Sequence, residues 1–145
     1  MELPEYVSKE EVRRICRELD IRDWTALEEE KVLPEEAGKI LSEVNVEGLD
    51  VSVEDFSQGL EVELEHGTKF KDANVTNNHP LLTGKIVIAH LKESLDYYMR
   101  LDVAEIEGDL LKALKAGNQE NLERLYKKLI KAKKVLIDTE SKQIG

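Results

Sequence analysis

At 145 residues the chain has the size of one domain, long enough to bury a core without disulfides or a structural metal as obligatory staples. Its formal charge of −10 sets up a field that repels phosphate at long range, which disfavours nucleic acid and anionic membranes as partners of the surface as a whole. A single cysteine, Cys16, excludes an internal disulfide, and no apolar stretch has the length of a bilayer span or of a signal peptide's hydrophobic segment, so the expected compartment is the cytoplasm.

Charged residues make up 36% of the chain and Gly and Pro are few, a balance suited to helices with ion-paired surfaces. Ser8-Lys9-Glu10-Glu11 has the form of a capping box. Val12, Ile15, Cys16 and Leu19 then recur at helical spacing, which predicts a first helix over about Ser8 to Asp20. Cys16 lies on its apolar stripe with no basic neighbour to activate the thiol, and is expected to be a packing residue. Trp24 and Leu27 are expected to cover the end of this helix. Pro34, just inside a run holding Ala37, Ile40, Leu41 and Val44, marks the start of a second helix that closes at 45–50.

Ser52 is a suitable N-cap for a third helix, with Glu54 and Asp55 in its first turn and Gly67 as its stop, predicting about Val53 to His66. Residues 69–80, with Thr76-Asn77-Asn78-His79-Pro80, lack any period and are expected to be a loop in which His79 is solvated. The fourth helix is expected to be the longest, about Leu82 to Glu107. Beyond Gly108 come a short apolar run (Leu110, Leu111, Leu114), then Gly117-Asn118 as stop and cap. A final helix over about 118–138 carries Leu122, Leu125, Leu129, Ile130 and Leu136. The expected architecture is an all-α, single-domain bundle of about five to six helices over residues 1–145, with a long central helix.

Residues 108–145 hold nine Lys or Arg against five acidic residues, whereas residues 1–107 hold 12 against 26. The basic helix can receive an acidic protein partner or a second copy in a homo-oligomer; a solvated helix folded on its own acidic core is the plainer account and the favoured one.

Helical geometry, at about 100° per residue, gives direction to two anomalies. On the third helix Glu63 projects among Phe56, Gly59 and Leu60, with His66 one turn on at the edge of the same face, while Glu61 and Glu65 fall on the opposite side. On the fourth, His90 projects among Ile86, Val87, Tyr97, Leu101 and Ala104, with Glu93 on the flank. Carboxylates and imidazoles on apolar stripes are costly unless partnered. Glu63-x-x-His66 and His90-x-x-Glu93 run in opposite order, which suits antiparallel packing and brings all four groups to one volume. Two imidazoles and two carboxylates form a ligand set suited to Zn, Fe or Mn as divalent cofactor. Tyr97 and Glu105 are candidates for supporting or proton-transfer roles around it. The other reading is a metal-free network in which Glu63 bonds His90, Glu93 bonds His66 and Tyr97 closes the set.

The segments Gly59-Leu60-Glu61-Val62-Glu63-Leu64-Glu65-His66-Gly67, Val75-Thr76-Asn77, Ala89-His90-Leu91-Lys92-Glu93 and Asp96-Tyr97-Tyr98 resemble a family of small uncharacterised prokaryotic and phage proteins marked by ELEHG, AHLKE and DYY. The resemblance covers about 50–107, leaves the N-terminal helices and the basic C-terminal helix outside its clearest part, and implies a family without a settled activity.

Nucleophilic catalysis lacks a nucleophile-elbow glycine pattern, and nucleotide binding lacks a glycine-rich phosphate loop after a strand. The lysine cluster Lys127, Lys128, Lys131, Lys133 and Lys134 has no interleaved aromatics for nucleic acid. Three classes stay open: a metal-binding helical protein, a non-catalytic interaction or assembly protein, and a metal-independent acid-base enzyme using His90 and Glu63.

Overall fold

The computed structural model describes residues 1–145, all-helical and without a strand. Six α-helices occur in the order α1 (Lys9–Glu18), α2 (Pro34–Val44), α3 (Val53–Thr68), α4 (Pro80–Glu93), α5 (Tyr97–Lys115) and α6 (Gln119–Ile144), with short 3-10 turns at Trp24–Ala26 and Lys71–Ala73. They gather into two compact units, residues 1–93 and 94–145. No helix is long and apolar enough to cross a membrane.

In the first unit, the Ser8 hydroxyl accepts the Glu11 N–H at 3.1 Å and caps α1, which buries Val12, Ile15 and Cys16. Glu11 does not complete the expected box; its carboxylate turns along the helix to Arg14 at 2.6 and 2.8 Å. Burial pushes the Cys16 thiol up, in keeping with packing rather than reactivity. The chain leaves α1 through Asp20, whose φ of 51° is left-handed, and reaches Trp24, which is fully buried. Glu36, on the first turn of α2, is buried and takes both a forked pair of bonds from Arg22 (2.8 and 2.7 Å) and the Leu33 N–H (3.0 Å). Burial works to raise its carboxyl, but these bonds outweigh it and hold the group below the usual range.

Helices α2, α3 and α4 share a core of Ile40, Val44, Phe56, Leu60, Leu64, Val87, Ile88 and Leu91. Gly84 sets how closely α4 approaches: a Cβ there would stand 2.7 Å from Ile40 Cγ2 and 3.3 Å from Val44 Cγ2. Glu61, expected on the wet face of α3, instead accepts the Val32 N–H at 3.0 Å and ties the loop before α2 to the bundle.

Three boundaries differ from expectation. Gly67 is not a stop; α3 runs past it to Thr68, and the glycine serves the tertiary contact described below. The expected helix from Leu82 to Glu107 is two helices, opening at Pro80 and interrupted at 94–96. There the Ser94 hydroxyl donates to the Asp96 carboxylate, which also receives Arg100 Nε and Nη2 at 2.9 Å each. Local side-chain bonds of this kind compete with the helical ladder without any Gly or Pro to announce the break. Arg100 holds the Asp96 carboxyl below its ordinary range. The third difference is Gly108, expected to end a helix, which lies inside α5.

The second unit is a helical hairpin of α5 and α6. Gly117, at φ 67°, makes the turn, and Asn118 caps α6 by accepting the Asn121 N–H. Ile106, Ala113, Leu125 and Leu129 are buried. Arg100 reaches Glu140 at 2.8 Å, and the Thr139 hydroxyl meets the Met99 sulfur at 3.4 Å, so the start of α5 is held to the end of α6.

Candidate functional site

Residue 63 falls where α3 turns from its buried face (Phe56, Leu60, Leu64) toward α4, so the Glu63 carboxylate is nearly enclosed, its side chain 11% exposed. Oε1 lies 3.6 Å from His90 Nε2 on α4, a contact longer than a hydrogen bond. Oε2 lies 3.9 Å from His66 Nδ1. One turn along α3, His66 is 65% exposed and its Nδ1 stands 3.0 Å from the Glu63 backbone oxygen, where the nitrogen acts as donor. His90 sits at the edge of the buried stripe of α4 rather than at its centre, which belongs to Thr83, Val87, Ile88 and Leu91. Its second nitrogen, Nδ1, stands 3.8 Å from Glu93 Oε2, whose side chain is 71% exposed.

The four groups therefore form a row, His66, Glu63, His90, Glu93, running from one exposed end to the other through a nearly enclosed carboxylate. Glu63 faces His90, the partner expected for it, at 3.6 Å rather than at hydrogen-bond distance. Glu93 does not meet His66; it takes the far edge of the His90 ring, because α4 turns His90 between the two carboxylates. As they stand, no three His, Cys, Asp or Glu side chains close around a single point suited to an ion. Tyr97 and Glu105 belong to α5 in the second unit, where Tyr97 packs edge-on against Tyr98 (centroids 5.0 Å apart, planes at 80°) and Glu105 is exposed rather than inward-facing.

Sequence reasoning missed a cavity of about 310 Å³ beside this row, lined by Glu63, His66, Asn74, Thr76, Asn78 and Thr83 among others. Its wall is built by the loop between α3 and α4. The His79 N–H donates to Thr76 O at 3.0 Å across a turn whose central residues, Asn77 and Asn78, have φ of 49° and 61°, the pattern of a type I′ turn, for which Asn is suited. That turn drives the Asn78 side chain inward. Its Nδ2 donates to Trp24 O at 3.2 Å, and its Oδ1 rests 1.7 Å from where a Cβ of residue 67 would be, so any larger residue at 67 must displace it.

His79 is buried, contrary to the solvated position expected for it. Its Nδ1 accepts the Leu82 N–H at 3.3 Å and its carbonyl accepts the Thr83 hydroxyl at 2.8 Å, so it caps α4 ahead of Pro80. Burial holds the imidazole below its ordinary pKa, with nearby Glu11 working in the opposite sense. The available signal was the Asn-Asn-His-Pro run itself: a left-handed pair followed by a cap and a first-turn proline.

Comparison with known families matches residues 12–107 to the one described as Protein of unknown function (DUF5661). The match takes in α1 and α2, which the sequence resemblance had left outside its clearest part, and ends within α5. No curated protein and no solved structure matches the chain. The chain belongs to the DUF5661 family.

Proposed function

We propose, for a member of a family that brings a fold but no activity, that the protein binds one divalent transition metal ion, Zn, Fe or Mn, through Glu63, His66 and His90. The observation that carries this reading is how the two imidazoles are anchored. His66 Nδ1 bonds a backbone carbonyl (3.0 Å), the outer contact that fixes a histidine's tautomer and leaves Nε2 to bind a metal, and His90 Nδ1 lies toward the Glu93 carboxylate (3.8 Å), which a small side-chain movement would bring into the same role. Two donors on one tetrahedral ion with bonds of about 2.0–2.1 Å lie roughly 3.3 Å apart, and Glu63 Oε1 and His90 Nε2 stand 3.6 Å apart. Closure needs the exposed His66 ring to swing toward the pair. Glu93 then orients His90 instead of ligating. Three protein donors leave a fourth position for water or a substrate, the arrangement of catalytic rather than structural sites, with the 310 Å³ cavity next to it.

The test is metal analysis of tag-free protein after exposure to each ion. About one ion per chain is expected, together with a higher Tm that a chelator reverses and that His90→Ala abolishes. Absence of stoichiometric metal in all three cases ends the proposal. The second reading, a metal-free network in a non-catalytic interaction or assembly protein, draws support from the Glu63 to His90 contact, which already joins α3 to α4. It requires that Glu63→Gln and His90→Gln lower stability non-additively and that metal and chelator change nothing.

A further inference from the structure

A second cavity, also of about 310 Å³, opens where the first turn of α1, the Trp24–Ala26 turn and the loop after α3 come together. It shares Gly67, Asn74 and Asn78 with the cavity beside Glu63 but differs in chemistry. No carboxylate lines it, although acidic residues outnumber basic ones two to one in residues 1–93. Two lysines do, Lys9 and Lys71.

In so acidic a unit most lysines find a carboxylate. Lys31, Lys39, Lys69 and Lys92 each stand 2.7–3.9 Å from one. Lys9, Lys71 and Lys85 form no such pair, and two of these three face the same cavity. Two acids bonded to lining residues are turned to other tasks: Glu5 Oε1 accepts Asn77 Nδ2 at 2.6 Å, and Asp23 Oδ1 accepts the Thr25 N–H and hydroxyl at 2.9 and 2.6 Å. Asn77 Nδ2 also donates to Val7 O at 2.6 Å, so the segment before α1 holds this part of the wall. The lining residues whose side-chain donors carry no hydrogen bond or ion pair within the fold are Lys9, Lys71 and Asn74.

We infer that this cavity binds the phosphate group of a small phosphomonoester. Ammonium groups act as point charges that suit a tetrahedral oxyanion, whereas a planar carboxylate is better matched by a guanidinium fork, and no arginine lines the cavity. The volume exceeds what one phosphate fills and leaves room for a small organic remainder. Placing two positive charges in a strongly negative unit also gives an anion one local point of attraction on a surface that otherwise repels it.

The test is a titration of the full chain, followed in ¹⁵N–¹H correlation spectra at constant ionic strength, with inorganic phosphate, glycerol 3-phosphate and succinate as probes. Saturable shifts of the Lys9, Lys71 and Asn74 amides are expected with both phosphates, the ester binding more tightly. Each of Lys9→Gln and Lys71→Gln should weaken binding by about fivefold. The pair together should weaken it more than tenfold, while Lys85→Gln changes nothing. Both lysines are exposed, so these variants keep the fold. Binding that survives in His90→Ala separates this site from the metal site. Shifts that never saturate, that persist in the double variant, or that succinate produces equally well overturn the proposal.

Discussion

Gly67 and Asn78 are one feature seen from two ends. The carboxamide of Asn78 fills the space that any other residue at 67 would need, and is held there by its bond to the Trp24 carbonyl. Gly67→Ala must expel that side chain or push α3 away from the loop, and is expected to cost about 1–3 kcal/mol, the usual range for overpacking a fitted contact. In an Asn78→Ala background the same change should cost far less, so the two are strongly non-additive in denaturant unfolding. Additive losses would mean that the contact does not carry the cost. His79 makes a prediction in pH. The unfolded imidazole protonates near its ordinary value of about 6.5, whereas the buried, capping ring in the fold resists protonation. Between the two values the unfolded chain holds more protons, so stability falls as pH drops below about 6.5 and continues to fall through the lower, folded value. His79→Asn, which keeps a helix cap without a titrating group, should flatten the decline of Tm between pH 7 and pH 5. A parallel decline in both proteins would assign the acid sensitivity to other groups.

Helices behave here according to what meets their glycines. Nothing lies within 4 Å of a Cβ built on Gly108, and its backbone is helical, so it adds flexibility to α5 without serving a contact. Gly108→Ala should stabilise the protein by about 0.5–1 kcal/mol, read as a higher midpoint in urea at unchanged slope. Gly84→Ala, built into the close approach of α4 to Ile40 and Val44, should do the opposite; a gain there would show that α4 can shift without loss. The same contrast explains which elements were legible beforehand. Helices α1, α2 and α3 begin at polar caps or a proline that act on their own first turn, so spacing and end signals agree. The break between α4 and α5 rests on Ser94, Asp96 and Arg100 bonding to one another, and the apolar period passes through it unchanged. The projection that carried His90's stripe on to Leu101 and Ala104 failed for that reason, as did the inward placement of Glu105.

On the scale of the molecule, acidic excess is concentrated in residues 1–93, while residues 94–145 are close to balance. The candidate site was half visible in the sequence for a physical reason: Glu63, His66, His90 and Glu93 lie on regular helices, where spacing fixes direction. The pairing of Glu63 with His90 followed from that, but the rotation of α4 that sends Glu93 to the far side of the ring depends on packing no local pattern encodes. The cavities were invisible because their walls come from the loop after α3, the turn at Trp24 and the start of α1, which only the fold brings together. Trp24 itself is the sole indole of the chain, sealed from water, with no acceptor for its ring N–H and with its carbonyl held by the side chain that lines both cavities. The protein thus carries an intrinsic fluorophore wired to Asn78, and anything that enters either chamber and displaces that amide announces itself in the colour and intensity of ultraviolet emission, with no dye attached.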